Sequence, residues 1–403
     1  MGIARGTNIV RDGLIYGYDS GYGVADKHTS TRFYPGEPAT NLKSANQTSG
    51  QLTGMSGVTV SYVGEEDGYS KYSMNGTFSG GTYPYIMYIP GVSFTGGVKY
   101  STQAKIKTNV ASKFNYFGSN GISYVNQPMD HSGSLSSTLQ DDGCYLVKRE
   151  GFAYTSTTNQ AGYLWTNPVN NTSFSSSTDF VFIKNMQIEQ NDHCTPWTAT
   201  SRSSTGSLID LKRTVDIDVS NANFDSTGQP DFDGTDDRIV SSTGVNLSSY
   251  TSLTYEGVVK AVGLASHDRW FSGTNSSNSG FHNPDLAIGT DGQLGYIFQN
   301  GPGISGWVMP SGLTIDGTKF NHLVYTFTNT GVVKIYINGT QQHTATYSNG
   351  TFPSDSKFMA GMRFDNNGEG IDGSIPIVKV YSKALTADEV TQNYKAYKNR
   401  FNL

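Results

Sequence analysis

The sequence predicts an all-β protein with two β-sandwich or jelly-roll domains, one inserted into the other, and a short C-terminal helix. Only 15% of the 403 residues are charged, whereas 47 are glycine and 25 are tyrosine. Low charge with many small polar residues is typical of short strands that polar turns connect. Aromatic rings supply the core volume that such strands need. Apolar residues also alternate in short runs, which is typical of half-buried strands.

The first predicted strand lies within residues 8–19. Leu14, Tyr16 and Tyr18 alternate there with other residues, directly after an Asp-Gly turn. Side chains two residues apart share one face of a strand, so these three are expected to enter one core.

A hairpin is predicted near the C-terminal end. Leu323, Tyr325 and Phe327 alternate along its first strand, and its second strand ends at Asn338-Gly339. Asn and Gly both tolerate positive φ, which makes this pair a strong turn signal.

Turn-bounded apolar runs predict the remaining strands. In the middle of the chain they are residues 58–63, 85–89, 99–107, 144–152 and 180–189. Towards the C-terminus they lie near residues 217 and 239 and at 253–259, 269–272, 286–288, 294–298, 358–362 and 375–381.

The C-terminal helix begins with a capping box. The hydroxyl of Thr386 can accept from the backbone N–H of Glu389, whose side chain can reach back. Val390, Tyr394 and Tyr397 fall on one helical face, at spacings of four and three residues.

Charge and hydropathy exclude two classes of partner. Net charge is −5 with a pI of about 5.8, and no sequence cluster of Lys and Arg offers a surface for nucleic acid. No apolar run approaches the roughly 20 residues of a membrane-spanning helix. Residues 1–6 lack the apolar segment of an export signal, which predicts a protein made in the cytoplasm. Cys144 and Cys194 are too few for a disulfide framework; two buried thiols are favoured over one bridge.

The predicted hairpin resembles the central hairpin of the concanavalin A-like (LamG-type) β-sandwich. The likeness rests on the runs His322-Leu323-Val324 and Ile335-Tyr336-Ile337-Asn338-Gly339. Members of that family usually carry Trp where this chain has Phe320. Residues 8–19 resemble the opening strand of LamG-type modules in phage structural proteins, and Phe232–Asp237 resembles their Phe-Asp-Gly-x-x-Asp motif.

The same resemblance implies an inserted domain, because a long segment stands where the family has a short loop. It implies that residues 1–33 and 203–403 form a LamG-type sandwich and that residues 40–200 form a second domain. The run 182–189 with Thr195-Pro196-Trp197 resembles the last strand and exit of carbohydrate-binding-module-like jelly rolls in phage tail fibres. Trp197 is expected to pack there.

The sequence predicts no enzyme. Glycoside hydrolases need a pair of carboxylates, which on this fold usually stand in a Glu-x-Asp-x-x-Glu run that is missing from the sequence. Glu65, Glu66 and Asp67 are adjacent and predict a solvated turn, and the seven histidines lack metal-ligand spacing.

A metal site has two interpretations. Asp231, Asp233, Asp236 and Asp237 offer hard oxygens that suit a structural Ca²⁺ ion, and the resembled families often hold one. The alternative, which is favoured, is a turn at Asp233-Gly234 with local capping and salt bridges.

Sugar binding requires exposed aromatic faces with polar neighbours. The candidates are Tyr163 and Trp165 in the inserted segment and Trp270, His282 and Trp307 in the LamG-like part.

The resemblance implies a phage virion protein: a non-enzymatic capsid- or tail-attached decoration, fibre or adhesin that binds host-surface polysaccharide. Expected partners are other virion proteins, copies of itself and a host glycan. One alternative is a purely structural virion subunit, and another is the non-catalytic part of a bacterial polysaccharide-processing system.

Overall fold

The computed structural model describes residues 8–20, 38–42, 53–54, 57–80, 87–123, 134–140, 142–195, 197–198, 201–225, 229–262, 265–277, 283–299, 301–365 and 368–403. Side chains are described for these residues except 53, 87–91, 116–123, 134–135, 158–167 and 205–206. Nearly all of the regular structure is β, which confirms the predicted fold class.

The strands are numbered along the chain. The first fourteen are β1 (Leu14–Asp19), β2 (Ala39–Thr40), β3 (Thr53–Gly54), β4 (Val58–Glu66), β5 (Tyr69–Phe78), β6 (Met87–Phe94), β7 (Lys99–Thr108), β8 (Phe114–Ser123), β9 (Ser134–Leu139), β10 (Tyr145–Ala153), β11 (Thr158–Pro168), β12 (Thr172–Phe174), β13 (Phe180–Glu189) and β14 (Ser201–Arg202). The others are β15 (Ile217–Asn221), β16 (Asn223–Phe224), β17 (Pro230–Asp233), β18 (Arg238–Ser241), β19 (Ser252–Val262), β20 (Asp268–Thr274), β21 (Asp285–Ile288), β22 (Leu294–Phe298), β23 (Ile304–Val308), β24 (Asn321–Thr328), β25 (Val332–Ile337), β26 (Thr340–Thr346), β27 (Lys357–Ala360) and β28 (Asp372–Tyr381).

Helices are few. They are α1 (Ser204–Ser207) and α2 (Ala387–Phe401), with single 3₁₀ turns at Ala111–Lys113 and Thr290–Gly292. No helix among the described residues is long and apolar enough to cross a membrane.

The chain divides into two compact units. The split unit consists of Met1–Pro38 with Ser203–Leu403, and the continuous unit consists of Ala39–Arg202. In sequence, the continuous unit therefore interrupts the split unit.

Two sheets form the split unit. One has the order β16-β17-β28-β19-β24-β25-β26, with β1 also paired to β28; the other has the order β15-β18-β27-β20-β21-β22-β23. A single aromatic-rich core contains side chains from both sheets. The predicted hairpin is confirmed as β24–β25, and Asn338 and Gly339, both at positive φ, turn β25 into β26.

Strand β1 completes this core from the opposite end of the sequence. It runs antiparallel to β28, with Tyr16 opposite Val380 and Tyr18 opposite Val378. Both tyrosine side chains are buried, and the Tyr16 ring centroid lies 4.8 Å from that of Phe358 on β27.

Helix α2 covers the outer face of the β1-containing sheet. The predicted capping box between Thr386 and Glu389 is present. Val390 and Tyr397 are buried as predicted, Tyr394 is half-buried, and Asn393 is fully buried between them.

A polar network lies beneath α2 and centres on the buried carboxylate of Glu256 on β19. Its Oε1 lies 2.7 Å from His322 Nε2, and its Oε2 accepts from the Tyr381 hydroxyl at 2.9 Å and from Asn393 Nδ2 at 3.0 Å. Asn393 Oδ1 also accepts from the backbone N–H of Val10 at 2.7 Å. One carboxylate thus links three strands, the terminal helix and the segment before β1.

The continuous unit has a seven-stranded sheet of order β12-β5-β13-β7-β10-β9 with β4 paired to β5, a four-stranded sheet β3-β6-β11-β8, and the pair β14-β2. Its core contains Phe94 and Phe114 from the smaller sheet, which pack with residues such as Tyr72 and Val181 from the larger one. Cys144 and Cys194 are buried and unbridged.

The end of β13 is fixed by the Gln-x-Glu run of the predicted exit motif. Buried Glu189 accepts from Gln187 Nε2 at 2.9 Å and from the Thr195 backbone at 2.7 Å. Trp197 is 36% exposed, so it packs only in part. The hydrogen bonds of Thr195 and Gln187 also hold this segment.

The buried ring of Tyr16 predicts that β1 is required for the stability of the split unit. Tyr16→Ala should lower the free energy of unfolding by about 3–5 kcal/mol, because it leaves a ring-sized cavity. Tyr16→Phe keeps the ring and should cost less than about 1.5 kcal/mol. Hydrogen exchange of the β28 amides measures both effects locally. Equal protection in the alanine variant and the native protein would show that β1 is dispensable.

The Glu256 network predicts a stability that depends on pH. Burial raises the pKa of Glu256, but the hydrogen bond from His322 and the charge of Lys379 together lower it below its ordinary value of 4.5. A lowered pKa means that the carboxylate stabilises the fold above pH 4.5 and that this contribution is lost as the pH falls below it. Glu256→Ala should cost about 3–5 kcal/mol at pH 7, because the buried groups that hydrogen-bond to this carboxylate then lack their partner and Lys379 loses one of the negative charges that act on it.

Urea unfolding at pH 7 and at about pH 4 tests this dependence. Glu256→Gln keeps the size of the side chain but cannot titrate, so its deficit relative to the native protein should shrink at the lower pH. A deficit that is the same at both pH values would contradict the assignment.

Candidate functional site

Trp307 is the predicted sugar-binding residue that the structure places at a surface. It lies on β23, the edge strand of its sheet, and is half-buried. The indole centroid lies 4.6 Å from the His267 ring centroid, and the guanidinium of Arg269 lies 4.9 Å from it. Arg269 lies at the start of β20, three strands away in the same sheet, and His267 directly precedes that strand.

Small side chains allow these groups to meet across the sheet. Arg269 stands opposite Ala287, which in turn stands opposite Gly295. A Cβ atom at Gly295 would lie 2.0 Å from Met309 Sδ, so glycine leaves room there for the Met309 side chain. Long side chains from β20 and β23 can therefore lie flat over the two strands between them.

Arg269 is held rigidly. It is 2% exposed, its Nε lies 3.4 Å from Asp285 Oδ2, and its Nη1 donates to the His267 carbonyl at 3.0 Å. It also pairs with Glu369, whose carboxylate accepts from Arg363 at 3.0 Å. We call His267, Arg269, Asp285, Trp307, Arg363 and Glu369 the Trp307 cluster.

Charge at the cluster is balanced and His267 is neutral. Burial lowers the pKa of His267, and the charge of Arg269 lowers it further, so the imidazole is uncharged at pH 7. A neutral imidazole has one donor and one acceptor nitrogen. Glu369 and Arg363 keep 30% and 22% of their side chains exposed, so both signs of charge reach solvent.

The structure contradicts the prediction that Trp270 binds sugar. It is fully buried, with its ring centroid 5.9 Å from those of Phe271 and Tyr325, so it cannot stack on a sugar. The cause is a β-bulge between Arg269 and Phe271. The bulge disrupts the alternation of faces and brings both Trp270 and Phe271 into the core.

Three other candidates are not placed by the structure. His282 lies outside the described residues. Tyr163 and Trp165 belong to β11, but their side chains lie outside the described part, and their role stays a prediction.

The acidic candidates divide into a group and an outlier. Asp233, Asp236 and Asp237 each offer a carboxylate oxygen within 4.8 Å of the others. Asp231 is not in this group; burial and the charges of Asp225 and Asp372 raise its pKa. Of the four candidate metal ligands, Asp231 is therefore the one that the structure does not bring together with the others.

Hydrogen bonds already occupy part of the acidic group. Asp237 is buried and accepts from the Asp233 backbone at 2.9 Å and from Asn223 Nδ2 at 3.2 Å, and Asp233 accepts from the Thr235 backbone at 2.8 Å. This is the capping that the alternative interpretation predicts. Burial raises the pKa of Asp237, and the charges of Asp233 and Asp236 add to that rise, so the group also suits a hard cation.

Comparison with known families supports the fold of the split unit. Residues 233–391 match the family model described as the concanavalin A-like lectin/glucanases superfamily. The chain thus carries a LamG-type domain, and the Trp307 cluster lies within it. Comparison with curated proteins found no match.

Solved structures show distant likenesses. A heptameric SAP-like pentraxin from Limulus polyphemus is 16% identical with a TM-score of 0.33, covering 40% of this chain and 78% of its own. Domain 4 of the extracellular arabinanase AbnA from Geobacillus stearothermophilus, in complex with arabinotriose, is 21% identical with a TM-score of 0.33, covering 43% and 80%. The botulinum neurotoxin serotype D binding domain is 17% identical with a TM-score of 0.36, covering 48% and 50%.

Proposed function

We propose that this protein is a non-catalytic, polysaccharide-binding component of a phage particle and that the Trp307 cluster is one of its sugar-binding sites. The observation that carries the proposal is the position of Trp307. Its half-buried indole is fixed beside Arg269 and His267 on the edge strand of a LamG-type domain.

The cluster offers the two kinds of contact that a sugar needs. An indole face packs against the C–H face of a pyranose ring, and fixed charged groups hydrogen-bond to hydroxyls. Here Glu369 supplies acceptor oxygens, while Arg363 and the neutral His267 supply donors. Because ion pairs hold the side chains before a ligand arrives, little conformational entropy is lost on binding.

The phage assignment is supported by the sequence resemblances of residues 8–19 and 182–197 to phage structural proteins. In such a particle the expected neighbours are other virion proteins and further copies of this chain. Repeated copies raise avidity by roughly 10²–10⁴ over a single weak site.

Binding of host capsule or lipopolysaccharide tests the Trp307 assignment. Trp307→Ala should weaken binding by about tenfold, because it removes the stacking surface. Trp197→Ala is the matched control, since it removes a 36% exposed tryptophan from the continuous unit and should leave this affinity unchanged. The native protein and both variants should release no reducing ends from these polysaccharides. Equal binding by the two variants would remove Trp307 from the site, and no binding by the native protein would favour a purely structural subunit.

We also propose that Asp233, Asp236 and Asp237 hold a structural Ca²⁺ ion. The ion would relieve the repulsion among three adjacent carboxylates. Ca²⁺ should then raise the melting temperature, with a stabilisation of about 2.7 kcal/mol at 100-fold excess over Kd. Asp236→Asn should abolish the rise, whereas Asp291→Asn, which changes an exposed aspartate of the same unit, should retain it. If the melting temperature is the same with and without Ca²⁺, the proposal fails and these aspartates only cap the turn.

A further inference from the structure

We propose that the continuous unit carries a second binding site, for acidic polysaccharide, on the face of its seven-stranded sheet that points away from the core. Four lysines and three aromatic rings form this surface, which we call the lysine patch. Its members are Lys71, Lys105, Lys107, Lys184, Tyr69, Phe180 and Phe182.

Strand register brings the lysines together although they are scattered in sequence. On β13, Phe182 stands between Lys71 of β5 and Lys107 of β7, and Lys184 stands opposite Lys105. Val181 and Ile183, which alternate with these residues, enter the core. Lys71 and Lys107 are two strands apart, about 9–10 Å between backbones.

The aromatic rings hold the ammonium groups in place. Lys107 Nζ lies 4.4 Å from the centroid of Tyr69 and 5.2 Å from that of Phe182, and Lys184 Nζ lies 5.3 Å from Tyr69. Lys71 Nζ lies 4.0 Å from the centroid of Phe180. A ring quadrupole attracts a cation but carries no net charge, so these contacts fix the ammonium groups without neutralising them.

Two of the four lysines form no ion pair with any described residue. Lys71 pairs with Glu66 at 2.8 Å. Lys105 interacts electrostatically with Asp142. Hydrogen bonds from Cys144 and Tyr69 are the main causes that lower the pKa of Asp142, and the charge of Lys105 lowers it further. Across the described residues, no carboxylate lies within ion-pairing distance of Lys107 or Lys184.

Lys107 and Lys184 both contact the Tyr69 ring, so one bound anion at this ring can attract both ammonium groups. Tyr69 and Phe182 are only 3% and 5% exposed, because the lysines cover them. A neutral sugar therefore finds no open ring face here, and recognition depends on charge.

The arrangement favours an extended ligand with repeated acidic groups. The lysines spread over three neighbouring strands, β5, β13 and β7, so a ligand that contacts all of them has to be extended. The whole chain carries a charge of −5, so the patch is a local exception and not part of a generally basic surface. This site lies on the continuous unit and does not depend on the Trp307 proposal.

The test uses the full-length protein with dextran sulfate, polygalacturonate and neutral dextran of matched length. Sulfate and carboxylate probes distinguish the acidic group, and the native protein should bind one or both but not dextran. Lys107→Gln/Lys184→Gln should weaken binding about tenfold or more at 0.05 M salt, where screening is modest. Glutamine keeps much of the aliphatic stem over the rings, and an unchanged melting temperature would verify that the fold is intact.

The matched control is Lys99→Gln/Lys212→Gln, which makes the same change in net charge at exposed positions outside the patch. It should bind as the native protein does. Equal weakening in both double variants, or no weakening in the patch variant, would overturn the proposal. So would equal affinity for double-stranded DNA, which would indicate unselective polyanion binding. Trp307→Ala should leave dextran sulfate binding unchanged, so the experiment tests the two proposed sites independently.

Discussion

The split unit depends on one buried carboxylate. Glu256 sits in the middle of β19, directly opposite Lys379 on β28, and both side chains are fully buried. A buried charge is tolerated only when it is paired and hydrogen-bonded. His322 of β24, Tyr381 of β28 and Asn393 of α2 together make these hydrogen bonds. Removing any one of these elements would leave the buried Glu256 carboxylate with fewer hydrogen bonds. The C-terminal helix is for this reason an integral layer of the domain.

The two proposed sites use rigid strands in different ways. In the Trp307 cluster, ion pairs neutralise one another and leave a half-buried indole as the distinctive feature. In the lysine patch, the rings are covered and the ammonium groups that lie over them are the distinctive feature. One surface suits a neutral or weakly charged sugar and the other an acidic one. A heteropolysaccharide that contains both kinds of residue would offer contacts to each.

Local rules explain what the sequence could predict. Alternation identified β1, β24 and β13, and turn and cap chemistry identified Asn338-Gly339 and the start of α2, because each signal lies within a few neighbouring residues. The candidate sites depend on pairing between distant strands. The pairing of Arg269 with Glu369 joins residues 100 positions apart, and no spacing in the sequence marks it. The burial of Trp270 follows from a bulge, and the lysine patch follows from cross-strand register; neither leaves a trace in a single run of residues.

The pairing of β1 with β28 has a consequence for how the chain is made. A ribosome completes residues 39–202 long before it reaches β28, so the continuous unit can collapse around its own core while synthesis proceeds. Residues 14–19 must wait until residues 372–381 emerge, and during that interval Tyr16 and Tyr18 have no strand to pair with. This long-range strand pairing is thus among the last contacts of the fold to form, and nascent chains arrested before β28 would expose an aromatic strand edge to chaperones or neighbouring chains.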